Sequence, residues 1–419
     1  MPKIIRSIVS RFGLSSVLVI AGRGLYFLFF FLLAKYTDKD TVAVFTVSLA
    51  TCQLLSSISS FGLAQASQAV VPGLVEKNAF RDLSQFVNVL LVVMFLFVVF
   101  VVSVLAFVLL LYPGLGEFTV SVMFGVILLF PVFSLSVSRE YLSRSFSKIT
   151  LAFFPRDVAW MGILCIAVIF GVGGSALSFV SGVSLLAVEM VSVYILLKLI
   201  RREYDYHFFP SYDFKKWSIY SKAFLSSSLG GLAFERIDTL YVAWIFGPSA
   251  TALYSIASRM APVTSICQRF IVPVLITKFS ENLSKNNIQE VRKDLALGCF
   301  ASLGYAIPVV IVFWLCSESF LSFFGEDYSA GAEVFRLLVC AHLFIAIGSS
   351  FGALVLSSDY RAYYGRVIWG AIFIAIFALL LGGNSSITTV ANIILLGIGL
   401  YNITFIILGC WCIRAGRTL

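Results

Sequence analysis

The chain has 419 residues, 60% of them hydrophobic and only 12% charged, with 41 Phe, a net charge of +9 and a mean hydropathy of +1.00. A soluble domain carries about 25% charged residues, so a water-soluble enzyme or nucleic-acid-binding module is excluded. Apolar runs of about 20 residues are what a bilayer some 30 Å thick demands; runs here such as 86–111 are continuous, which also excludes a β-barrel of short alternating segments.

The chain opens on MPKIIRSIVSR, a charged start followed by an apolar run too long for a signal peptide and without a small-residue cleavage site. It reads as a retained first helix. Apolar windows fall at 12–34, 42–64, 86–111, 118–137, 151–172, 175–197, 222–246, 250–276, 295–316, 332–356, 367–382 and 389–412, of which 367–382 is short. The expectation is an all-α integral membrane protein with about 12 transmembrane helices. Two loops, 65–85 and 277–294, each follow a Pro at a helix end, and mix apolar with charged residues. They fit either amphipathic helices at the membrane surface or plain solvated loops.

Positive charge in short loops stays cytoplasmic, and here it is one-sided. Alternate segments carry Lys3, Arg6 and Arg11; Lys77 and Arg81; Arg139, Arg144 and Lys148; Lys198 to Lys222; Lys278 to Lys293; Arg361 and Arg366; Arg414 and Arg417. The intervening loops carry only Lys35 and Lys39, which places both termini in the cytoplasm. The longest polar break lies near the centre of the chain and divides it into an N-terminal six-helix bundle (1–199), a cytoplasmic linker (200–218) and a C-terminal six-helix bundle (219–419). Weak internal similarity supports two parallel repeats: Arg23 and Arg236 early in a helix, Phe45 and Tyr254 early in the next, Val71-Pro72 and Val272-Pro273, Arg81-Asp82-Leu83 and Arg292-Lys293-Asp294-Leu295.

The stretch from Gly230 to Pro273 puts charge where lipid is expected. Glu235, Arg236 and Asp238 sit in one apolar segment and Arg259 in the next, separated by Gly247-Pro248-Ser249 as a tight outer turn. Ionised groups at membrane depth cost several kcal/mol unless they face protein or water, so by default they mark a transport path. With Arg23, the arginines lie roughly 14 to 21 Å into their spans. At about 100° per residue Glu235 and Asp238 share a face, while Arg236 is about 160° from Asp238; one or the other faces the lumen. Glu189 reads as a salt-bridge or packing residue, Arg156-Asp157 as an interfacial ion pair and Arg336 as a snorkelling side chain. His207 and His342 are too scattered for a metal site. The eight cysteines show no CxxC spacing and read as packed thiols. GVGGS at 171–175 has no following Lys-Ser/Thr, so no nucleotide-binding loop is expected.

Glu235 to Asp238 with Gly247 and Tyr254-Ser-Ile-Ala-Ser-Arg259 resemble the seventh and eighth helices of a known family, and Phe324-Gly325-Glu326-Asp327-Tyr328 resembles its outer loop before helix ten. The family is the O-antigen (Wzx-type) polysaccharide-lipid flippases of the multidrug/oligosaccharidyl-lipid/polysaccharide exporter superfamily. The resemblance implies two bundles of alternating access in the bacterial inner membrane, turning an undecaprenyl-pyrophosphate-linked oligosaccharide from the inner to the outer leaflet. It implies no enzymatic step, no catalytic residue, no cofactor, no metal and no nucleic acid, with a glycan polymerase and chain-length proteins as partners. Arg23, Arg236 and Arg259 would then hold the pyrophosphate in the central cavity, since a guanidinium fork matches phosphate oxygens. Glu235 and Asp238 would bind a coupling ion, H⁺ or Na⁺, or else only neutralise arginines. The lipid II flippases of the superfamily carry extra C-terminal helices, which ranks them lower. Two rivals stand beside this reading: a multidrug cation exporter of the same superfamily, which an arginine-bearing cavity disfavours, and a membrane glycosyltransferase or polysaccharide polymerase. The last would show a substantial outer loop or a catalytic domain, whereas the longest outer segment is 317–331.

Overall fold

The computed structural model describes residues 2–112, 114–204, 214–285, 287–358 and 360–415, and among them no strand occurs. The helices are α1 (Pro2–Tyr36), α2 (Lys39–Ser59), α3 (Leu63–Glu76), α4 (Phe80–Leu111), α5 (Glu117–Ser145), α6 (Ile149–Phe153), α7 (Met161–Ile169), α8 (Gly174–Tyr204), α9 (Phe214–Met260), α10 (Gln268–Ser284), α11 (Ile288–Leu315), α12 (Ser317–Ser322), α13 (Ala332–Leu356), α14 (Arg361–Gly382) and α15 (Ile387–Ala415). A π-helical turn, Phe154–Trp160, joins α6 to α7, and 3₁₀ turns cover Ala261–Ser265 and Glu326–Gly331. The chain packs as two compact units, Met1–Leu232 and Ala233–Leu419. Most of the expected linker, residues 205–213 with His207, lies outside the described residues.

Eleven segments among the described residues are long and apolar enough to cross a membrane, where twelve are expected. The difference arises at one place. The expected spans 222–246 and 250–276 fall largely in the single segment Leu229–Ser265, whose 37 residues would reach about 55 Å as one straight helix, far beyond the bilayer. It is not straight: Gly247 has φ 76° and ψ −171° and is followed by Pro248, so the helix breaks into two arms at the anticipated turn. The short window 367–382 belongs to a full segment, Tyr363–Gly382.

In the first unit, Ser48, Cys52 and Ser56 recur every fourth residue on the face of α2 that meets α5. Ser48 Oγ donates to the Val122 carbonyl at 3.2 Å, Cys52 Sγ lies 4.0 Å from the Val126 carbonyl, and Ser134 donates to Ser56 Oγ at 3.3 Å. Lipid offers helices no hydrophobic reason to associate, so such small residues bring backbones close enough for dispersion and hydrogen bonds. α3 covers the first part of 65–85 as a short helix rather than a plain loop. Its Leu63, Ala64 and Val71 are buried with Leu83, Phe86, Val87 and Leu90 of α4 and Leu142 of α5, and Trp217 closes the cluster, its ring edge-on to Phe86 at 5.2 Å.

The second unit repeats this order. Its broken crossing helix leads through the 3₁₀ turn into α10, whose Leu275, Phe279 and Leu283 pack with Val291 and Leu295 of α11 and Ala353 and Leu354 of α13. α10 runs to Ser284 and α11 starts at Ile288, so 277–294 is almost wholly helix rather than loop. Pro72 and Pro273 sit in the equivalent short helices α3 and α10. The acids noted from sequence pair in both units: Asp82 with Lys216 at 2.9 Å and Asp294 with Lys278 at 2.7 Å.

Candidate cargo and ion sites

In the first unit the membrane-embedded charges gather where α5, α8 and the π turn meet. Pro155 has no N–H, so the regular i→i−4 ladder cannot run through it, and the chain takes a wide turn there. Arg139, on α5, is 2% exposed and Glu189, on α8, is fully buried. Their contact is a fork: Nε to Oε2 at 2.5 Å and Nη2 to Oε1 at 3.1 Å. The remaining Nη1 donates to the carbonyls of Leu151 and Ala152. Glu140 accepts from Arg144 one turn on and from Arg156 of the π turn, the latter at 2.5 Å. Arg156 also reaches Asp157 at 3.3 Å and lies over the Phe133 ring at 5.4 Å. Three arginines thus meet three acids with no net charge.

Glu189 is therefore the salt-bridge residue expected. Arg139 and Arg144 are not in an inner loop: α5 runs on to Ser145 and folds them into the network. The sequence held one signal of this, the Glu140/Arg144 spacing of four, which places both on one helix face.

Arg23 is different. It is half-buried on α1, its guanidinium lies 5.9 Å from the Tyr26 ring centre, and among the described residues it forms no ion pair. Its neighbour Gly22 lies flush on the π turn, where an added Cβ would come within 2.7 Å of Asp157 Cβ.

In the second unit the two acids expected to act as a pair part company. Glu235, with 60% of its side chain exposed, is 3.7 Å from Arg236, whose Nη1 also donates to the Glu235 carbonyl at 3.1 Å. Asp238 is 4% exposed and accepts from Thr239 N (2.5 Å), Thr239 Oγ1 (3.2 Å) and Tyr254 OH (3.0 Å). Tyr254 belongs to the second arm, and the break at Gly247 is what folds it back onto Asp238. Arg259 is 8% exposed, one residue before the end of that arm. The 3₁₀ turn after it is bound by polar contacts: Ser265 Oγ to His342 Nδ1 at 2.9 Å, Gln268 to the Ala346 carbonyl at 2.7 Å and Tyr305 OH to the Val263 carbonyl at 3.0 Å. Arg23 belongs to the first unit, and Arg236 and Arg259 to the second. No group of three His, Cys, Asp or Glu side chains that could hold a metal occurs among the described residues.

This helical, two-unit architecture defines a class of membrane protein, the MATE-like fold. It is similar to a multidrug resistance MATE family transporter of the MOP superfamily solved in an inward-facing conformation (TM-score 0.80, 11% identity, 96% of this chain and 98% of that one). It is also similar to the lipid II flippase MurJ in an inward closed conformation (TM-score 0.72, 14% identity, 94% and 87%). No curated protein sequence matches it. The family model described as Polysaccharide biosynthesis protein matches residues 8–282, well over half of the sequence, and the chain belongs to that family. A second model, MatE, matches residues 232–382.

Proposed function

We propose that this multi-pass membrane protein is a transporter of the MATE-like superfamily, and that its cargo is an oligosaccharide carried on undecaprenyl pyrophosphate, flipped from the inner to the outer leaflet of the bacterial inner membrane by alternating access. The observation that carries the reading is Arg23. A guanidinium inside an apolar helix needs a counter-charge; Arg139, Arg144 and Arg156 of the first unit have carboxylates, while Arg23, among the described residues, has an aromatic ring and no ion pair. A pyrophosphate supplies that charge, in a geometry the guanidinium fork matches. Membership of the polysaccharide biosynthesis family supports a glycan cargo, and a glycan polymerase and chain-length proteins would be its working partners. Coupling to H⁺ or Na⁺ is assigned to Asp238, because Glu235 already faces Arg236.

A second reading, export of small drugs, is favoured by the likeness to multidrug transporters and by the MatE match. The two separate in one experiment. In a flippase-deleted host the wild-type gene restores surface glycan and Arg23→Glu does not, with protein levels matched by immunoblot. If Arg23→Glu restores wild-type glycan at low expression, the cationic site is not the cargo site; if the wild type restores none but raises drug tolerance in an exporter-deficient strain, the second reading replaces the first.

A further inference from the structure

Two opposite charges of the first unit lie on elements that touch, and neither is fully engaged among the described residues. Arg23 has its guanidinium against the Tyr26 ring and, among the described residues, no carboxylate partner. Asp157, near the middle of the Ile149–Ile169 segment, keeps 32% of its side chain exposed, and the guanidinium that touches it does so at 3.3 Å from the adjacent residue. That guanidinium, Arg156, is held at 2.5 Å by Glu140, so the Asp157 carboxylate is the least engaged acid of the network. The two elements touch at Gly22, the residue before Arg23, where no side chain separates α1 from Asp157. Arg23 follows Gly22 directly in the chain, so its backbone adjoins the π turn that carries Asp157.

We propose that Asp157 is the resident counter-ion of Arg23 and exchanges with a phosphate-bearing ligand: Arg23 pairs with Asp157 when no ligand is present, and the ligand's phosphate oxygens displace the carboxylate. The physical reason is charge balance. A cation left alone in the membrane interior after its anion departs costs several kcal/mol, and a neighbouring acid removes that cost in the empty half of the cycle. Asp157 also sets specificity, because a ligand must out-compete an ion pair and a neutral or cationic one cannot. The ion-pair network of Arg139, Glu189, Glu140 and Arg156 acts as the frame that fixes the π turn, and with it the place of Asp157. The ligand half of the proposal rests on the flippase reading; the pair itself does not.

The test uses the purified full-length protein and two near-isosteric substitutions. In a thermal double-mutant cycle without phosphate, Asp157→Asn lowers the melting temperature of the wild type by more than it lowers that of the Arg23→Gln protein, in which only the Arg156 contact is lost. Additive shifts overturn the pair, whatever the cargo. Titration with inorganic pyrophosphate then reads the exchange: Asp157→Asn binds about tenfold more tightly than wild type, the size of a lost charge-assisted contact, and Arg23→Gln does not bind. If Asp157→Asn binds pyrophosphate no better than wild type, or not at all, the exchange is overturned. Arg23 then remains a cargo residue if Arg23→Glu abolishes surface glycan, so failure of the exchange and failure of the flippase reading are told apart.

Discussion

Four carboxylates are buried among the described residues of the chain, and their partners divide them. Glu189 has Arg139, Glu140 has Arg144 and Arg156, and Asp294 has Lys278. Asp238 forms no direct ion pair among the described residues, and its hydrogen-bond donors are the neutral Thr239 and Tyr254. The first group is structural: removing one partner of a buried pair strands the other charge and costs about 3–5 kcal/mol, whereas replacing both with apolar residues is often neutral. Arg139→Gln and Glu189→Gln are each expected to destabilise the detergent-purified protein by that amount, and Arg139→Met/Glu189→Met to recover most of it. Tryptophan fluorescence during thermal unfolding measures this; a double variant as unstable as the singles would show that the pair does more than neutralise itself. The sequence made Glu189 legible as a salt-bridge residue but not its partner, because Arg139 reads equally well as the start of a cytoplasmic loop.

At the level of elements, two backbone features do the shaping. Gly247 takes a conformation that residues with a Cβ rarely adopt, and the break it makes in α9 brings Tyr254 back to Asp238. Gly348 lets α13 lie directly on Asn402 of α15, where an added Cβ would overlap the Asn402 side chain. Gly348→Ala is therefore expected to cost about 1–3 kcal/mol by overpacking, and Asn402→Ala in the same chain to restore part of the loss. Heating followed by size-exclusion chromatography reads both. Equal stability of Gly348→Ala and wild type would mean that the two helices separate without cost. The pairing of α13 with α15 was not legible in advance, since a Gly spaced four residues from another in an apolar run says that some helix comes close, not which one.

For the whole molecule, duplication of one pattern stands out: in each unit a crossing helix leads into a short proline-bearing helix, then a long span opened by a paired aspartate. Parallel repeats predict the same orientation for both halves, and the loop charges predict cytoplasmic termini. In a cysteine-free background, Ser319→Cys is expected to react with a membrane-impermeant thiol reagent added to intact cells, and Glu76→Cys only after permeabilisation. Labelling in the opposite order would invert the topology and with it the direction of transport.

Composition and hydropathy alone determined that the chain is a helical membrane protein with polar breaks at regular intervals, because a bilayer imposes its thickness on every crossing segment. The break at Gly247-Pro248 and the embedded charges were likewise legible, since both are local in the chain. Burial was not. Ideal helix geometry put Glu235 and Asp238 on one face, yet only the packed second arm decided that Asp238 is enclosed against Tyr254 while Glu235 stays exposed beside Arg236. The reach of α5 into the Arg139 network, the burial of α3 and the contact of Gly22 with Asp157 were settled in the same way. Each depends on which helices become neighbours, and in a chain this uniformly apolar the sequence gives every helix several faces of nearly equal hydrophobicity, so only the tertiary packing selects among them.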